Sequence, residues 1–102
     1  MAGVGKLLKQ AQKMQKKIEE LEAQLAETTI EVSSGGGAIK MTITVSGDIR
    51  GIELDPEFLK EDKSFVEETL VTGVQEAIEA ARKAKEEAMS EVTSGMQMPG
   101  MF

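Results

Sequence analysis

Ile39-Lys40-Met41-Thr42-Ile43-Thr44-Val45, continued by Ser46-Gly47-Asp48 and Ile49-Arg50-Gly51-Ile52-Glu53-Leu54-Asp55-Pro56, is the stretch whose pattern decides the fold. Over its first seven residues every second side chain is apolar. Side chains of a strand alternate between faces, so Ile39, Met41, Ile43 and Val45 share one face, with Lys40, Thr42 and Thr44 on the other. Ser46-Gly47-Asp48 has the composition of a tight turn. Ile49 to Leu54 then predicts a strand folding back on its predecessor. Its apolar phase slips, because Ile49 has the opposite parity from Ile52 and Leu54. Gly51 stands at the slip and predicts a bulge or kink there.

Upstream, Ser34-Gly35-Gly36-Gly37 breaks the pattern, and Thr28 to Ser33 uses the Thr, Ile and Val vocabulary of strands. Ile30 and Val32 share a face; Thr29, Glu31 and Ser33 share the other. Three short strands joined by tight turns make an antiparallel meander with one apolar face. Downstream, Asp55-Pro56 opens a loop or a single helical turn, with Asp as cap and Pro in the first position. Ser64-Phe65-Val66-Glu67 reads as a capping box. It starts a helix whose apolar stripe (Val66, Leu70, Val74, Ala77, Ile78, Ala81, Ala84, Ala88, Val92) runs to about Ser94.

The first third of the chain is a helix from about Gly3 to Glu27. Val4, Leu7, Ala11, Met14, Ile18, Leu21 and Leu25 follow one another in alternating steps of three and four, a heptad seam along one face. Lys6, Lys9, Lys13, Lys16 and Lys17 lie within roughly a third of the helix circumference, mostly on the opposite side. No acid precedes Glu19. The fold class is therefore α+β: a long N-terminal helix, a three-stranded antiparallel meander and a long C-terminal helix. Such a sheet has one good partner layer within the chain, and a seam left in water forfeits roughly 1.5–3 kcal/mol per large apolar side chain. The expectation is a two-fold homodimer with projecting helices. Its interface or core is drawn from Leu7, Met14, Ile18, Leu21, Leu25, Ile39, Met41, Ile43 and Val45. Residues 1–94 form one domain, and 95–102 a flexible Met-rich tail.

Composition narrows the function. The chain has 102 residues, no Cys and no His, so disulfide frameworks, thiolate metal sites and the commonest general base are absent. Nothing in it resembles a nucleophile–base set or a metal-ligand cluster, and no enzyme activity or cofactor is expected. No apolar run is long enough to span a bilayer, and the expected location is cytoplasmic. The formal net charge is −6, which argues against wholesale nucleic-acid binding. The distribution says more. Residues 1–18 hold five lysines and no acid; the remainder holds seven basic and eighteen acidic residues, hence −11. This asymmetry points to a local anion site or to internal charge pairing.

The order of elements, with Met14-Gln15-Lys16-Lys17-Ile18-Glu19-Glu20-Leu21, Ser33-Ser34-Gly35-Gly36-Gly37, and Val45-Ser46-Gly47 leading into Ile49–Pro56, resembles the YbaB/EbfC family of bacterial nucleoid-associated proteins. The resemblance covers nearly all of residues 3–94. It implies a tweezer-shaped homodimer in the nucleoid that binds duplex DNA with little sequence preference and serves chromosome organisation or gene regulation.

Lys6, Lys9, Lys13, Lys16 and Lys17 are the candidate DNA-binding residues. Their stripe extends roughly 17 Å along the helix, against one phosphate charge per ~1.7 Å of duplex. Lysine suits backbone contact more than base reading. The competing reading pairs these lysines with Glu86, Glu87 and Glu91 at the far end of the second long helix; an ordinary solvated face is the third. Arg82, Lys83 and Lys85 form a weaker, secondary candidate contact. Acids surround them, and Glu79–Lys83 has the favourable i, i+4 order for an intrahelical pair. The triple glycine joins two strands and lacks the helix and Lys-Ser/Thr of a phosphate loop. The alternative function is a homodimeric interaction scaffold for a replication or repair factor, with the partner unidentified. Attachment to a membrane through the basic amphipathic helix ranks below both, for want of Trp or Phe on the seam.

Overall fold

The computed structural model describes residues 2–96, with side chains over 3–92. The elements are α1 (Ala2–Glu27), β1 (Thr29–Ser34), β2 (Ile39–Thr44), β3 (Ile49–Leu54) and α2 (Lys63–Met96), with 3-10 turns at Gly35–Gly37 and Phe58–Lys60. This is the expected helix, meander, helix order. The sheet runs β1-β2-β3, antiparallel throughout. From residue 97 on, the expected tail lies outside the described residues.

The alternation in β2 sets the core. Ile39, Met41 and Ile43 are buried to 1 % exposure or less and meet Phe58, Ala77 and Ala81. Ile30, Val32, Leu54, Val66, Leu70 and Val74 pack around them. Helix α2 lies across β1 and β2. Gly73 lets it approach closely, since a Cβ there would stand 3.4 Å from Met41 Cε and from Ser34 Cβ.

The phase slip in β3 is a bulge. Thr42 faces Gly51 and Ile43 faces Ile49, so Arg50 is an extra residue without a partner. Opposed residues of an antiparallel pair point to the same side. The bulge therefore brings Ile49 onto the face of Ile43, and Ile52 stands beside Met41. Beyond the reach of α2, Ile49 and Ile52 remain 45 % and 48 % exposed.

Several details depart from the sequence pattern. Thr44 belongs by parity to the polar face, yet it is fully buried. The following turn closes over it: its hydroxyl bonds Ser46 Oγ at 2.8 Å and accepts the Asp48 N–H at 2.9 Å, so no polar atom is stranded. Helix α2 begins two residues earlier than the capping-box reading, with the Val66 N–H donating to the Asp62 carbonyl, and it runs on to Met96. Phe58, assigned by pattern to a loop, is a core residue packed edge-on against Phe65 at 6.1 Å between ring centres. The Asp55 carboxylate accepts the Glu57 N–H at 3.1 Å in the bend that leads into this turn, but the cap position of the 3-10 turn is Glu57, without a side-chain hydrogen bond, and not Asp55 as expected.

Candidate nucleic-acid interface

Helix α1 presents its two faces to different surroundings. Along the seam, Leu25 is buried; Met14, Ile18 and Leu21 are half-buried against the rest of the chain; Leu7 and Val4 are 66 % and 52 % exposed. Helix α2 is the principal neighbour of α1. Its Ala81 is buried, and Ala84, Ala88, Met89 and Val92 are half-buried. The cover thus fades toward the N-terminal turns, where Leu8, off the seam, is also 59 % exposed.

On the far side of α1, Lys6, Lys9, Lys13, Lys16 and Lys17 are all exposed. The ion pairs among the described residues are Lys60–Glu57, Arg82–Glu79 and Arg82–Glu86, and none involves the stripe. Glu86 is engaged by Arg82 of its own helix rather than by α1. The reading in which α1 lysines answer the acids of α2 finds no such pair among the described residues.

The second cluster is arranged differently. Arg82 donates from Nε to Glu79 Oε2 at 2.9 Å and from its terminal nitrogens to Glu79 and Glu86. The hydrogen bond from Arg82, then its charge, holds the Glu79 carboxyl below its ordinary value, and Glu79 and Glu86 in turn favour the charged guanidinium. The intrahelical pairing expected here is present, but Arg82 makes it and not Lys83, because the guanidinium fork spans both carboxylates at i−3 and i+4. Lys83 and Lys85 are exposed without an ion pair among the described residues.

Arg50 was not singled out by sequence reasoning. It is the bulged residue of β3, and its Nη2 donates to the Ala26 carbonyl in the last turn of α1 at 3.4 Å. The signal was present as the phase slip at Gly51, but a slip does not say where the displaced side chain goes. Among the described residues no group of three or more carboxylates is placed to hold a metal, and no helix is long and apolar enough to cross a membrane.

With an amphipathic helix carrying an exposed cationic stripe on a three-stranded sheet, the comparison with known proteins is decisive. The model of the YbaB/EbfC DNA-binding family matches residues 1–96. The chain belongs to that family. One relative, a protein of Beijerinckia indica named nucleoid-associated protein, is 46 % identical over 94 residues, covering 91 % of this chain and 93 % of its own. The fold recurs in the crystal structure of an uncharacterized protein from Helicobacter pylori. That protein has a TM-score of 0.73 at 20 % identity and covers 91 % of this chain and 96 % of its own. The YbaB/EbfC assignment thus rests on sequence, and the Helicobacter structure bears on the fold alone.

Proposed function

We propose that this YbaB/EbfC chain is a non-enzymatic, nucleoid-associated protein that grips duplex DNA through Lys6, Lys9, Lys13, Lys16 and Lys17, with little preference for sequence. It acts as a homodimer in the bacterial nucleoid, in chromosome organisation or gene regulation. The observation that carries the reading is the exposed lysine stripe with no carboxylate partner among the described residues. Membership of a DNA-binding family and a relative named for the nucleoid support the same partner.

The electrostatics fit a local grip. The acidic excess lies in the inner part of α1, the segment between β3 and α2, and α2 itself, so a polyanion is repelled there and attracted to the outer half of α1. Glu19, Glu20 and Glu22 close the stripe at its inner end. Lysine ammonium groups on flexible stems meet phosphates without demanding a base sequence. A second copy is the natural cover for Ile49 and Ile52, which share a face with the core but lie half-exposed.

The test is a titration of purified protein against unrelated duplexes at several salt concentrations. Five phosphate contacts from one stripe give a slope of log affinity on log salt of about −4.5, or a loss of about 500-fold between 50 and 200 mM salt, and a dimer that engages both stripes doubles the slope. Replacing the five lysines by glutamine removes the binding while preserving the helix, since the two residues have similar helix propensity. A glutamine variant that shifts DNA as well as the parent overturns the assignment. The scaffold reading has one observation in its favour: Val4, Leu7 and Leu8 are open to a protein partner at the tip of α1.

A further inference from the structure

We infer that Arg50 is a positioning residue that sets the direction in which α1 leaves the sheet, and through it the placing of the lysine stripe. The functional part of this inference rests on the DNA-binding reading above; the structural part does not.

The chain of causes begins in the sequence. The apolar parity of β3 slips between Ile49 and Ile52, and the structure resolves the slip by making Arg50 an unpaired, bulged residue. A bulge re-aims the side chain it displaces. Here the guanidinium reaches across 24 positions of sequence to the Ala26 carbonyl, with Nη2 to O at 3.4 Å. That carbonyl is in the last turn of α1, which leaves carbonyls without helical partners and carries partial negative charge. Helix α1 has no basic residue of its own in that turn. Arg50 supplies the missing cation from the sheet.

The base of α1 is otherwise held close to its axis. Leu25 is buried, the Thr28 hydroxyl donates back to the Gln24 carbonyl, and the Val45 N–H donates to the Thr28 carbonyl at 2.9 Å. These contacts fix where the helix ends on the sheet more firmly than how it tilts or turns. Along its length α1 faces a side of α2 that is rich in alanine (Ala81, Ala84, Ala88), with Met89 and Val92 its larger side chains near the far end, which allows close approach but offers few large knobs near the base to lock rotation. A lever acts on any looseness at the base. Helix α1 has 26 residues, or ~39 Å at 1.5 Å per residue, so a swing of about 10° at the root moves its tip by ~7 Å. That is as much as the axial span of about four duplex phosphate charges.

The experiment uses the full chain with Arg50→Ala and Arg50→Lys. The chain has no native cysteine, so spin labels at Gln12→Cys and Lys40→Cys report the distance from α1 to the sheet, with labelled protein diluted into unlabelled protein to isolate single subunits. Arg50→Ala is expected to broaden that distance distribution by several ångströms and to weaken duplex affinity about 3- to 10-fold, with the salt slope unchanged. Arg50→Lys, which keeps a donor and a charge, recovers most of both. An Arg50→Ala distribution as narrow as the parent's overturns the inference. So does a narrow distribution with a salt slope reduced by about one, which makes Arg50 a phosphate contact. A broadened distribution with unaltered affinity upholds the positioning of α1 and counts instead against the lysine stripe as the DNA site. Should Arg50→Ala fail to fold, the lysine variant decides: a distribution as broad as that of a partly unfolded chain overturns the inference, and a parent-like one upholds it.

Discussion

Arg82 and Glu79 show what the charges of this surface do individually. The guanidinium donates twice to Glu79 and once to Glu86, so the Glu79 carboxyl titrates below the ordinary glutamate range. A carboxyl depressed in the folded chain adds stability above its unfolded value and loses it as pH falls through its folded value. Both side chains are exposed, so the contribution is small and screened by salt. The expected outcome is a Glu79 side-chain NMR titration displaced to low pH, which returns toward the ordinary range in Arg82→Ala. An unshifted Glu79 in the parent would mean the ion pair is not populated in solution. The core gives the opposite kind of residue. Met41 is 1 % exposed and touches the space that Gly73 leaves under α2. Met41→Ala is expected to cost about 2–5 kcal/mol in chemical denaturation, with transfer and cavity terms adding.

Helix α1 is where sequence and structure agree on the pattern and differ on its use. The heptad seam is uniform in the sequence, from Val4 to Leu25, but the structure covers it unevenly. Leu25 is buried, and Leu7 is two-thirds exposed. Periodicity reports which face is apolar and says nothing of how far the neighbouring element reaches. In a single subunit Leu25→Ala is therefore expected to cost about 2–5 kcal/mol and Leu7→Ala well under half of that. Equal costs in urea unfolding would mean that something else, a second chain included, covers the tip. The sheet was legible for the same reason that the seam was. Strict alternation in Ile39–Val45 named the buried residues, and the parity slip named the bulge. Thr44 and Phe58 were not legible, because Thr44 is buried by the turn that closes over it and Phe58 is carried onto the core by its own 3-10 turn, tertiary events that no local period encodes. The lysine stripe could be read directly. Its freedom from Glu86 could not, since Arg82 claims that carboxylate within its own helix.

The molecule measures 70 × 25 × 16 Å, which is long and thin for 102 residues. A shape of this kind leaves much apolar surface uncovered: Ile49, Ile52, Val71 and Ile78 are each 45 % exposed or more. The proposed dimer joins this unfinished core to the DNA grip. Two stripes on one body turn the second contact into an intramolecular event, which raises avidity by as much as about 10²–10⁴ when both reach the same duplex. Ile52→Asp tests the connection. It places a charge beside Met41, on the part of the core face that α2 leaves open. Within one subunit the half-exposed position tolerates it, while an interface there does not. The expected outcome in sedimentation velocity is a shift from two subunits to one, with helical content retained. In the same variant the salt slope of DNA binding should fall to about half, because one stripe releases half the counterions of two. A parent that sediments as a single folded subunit removes the dimer from this account. A variant that dissociates yet keeps the full slope shows that one stripe alone makes every phosphate contact.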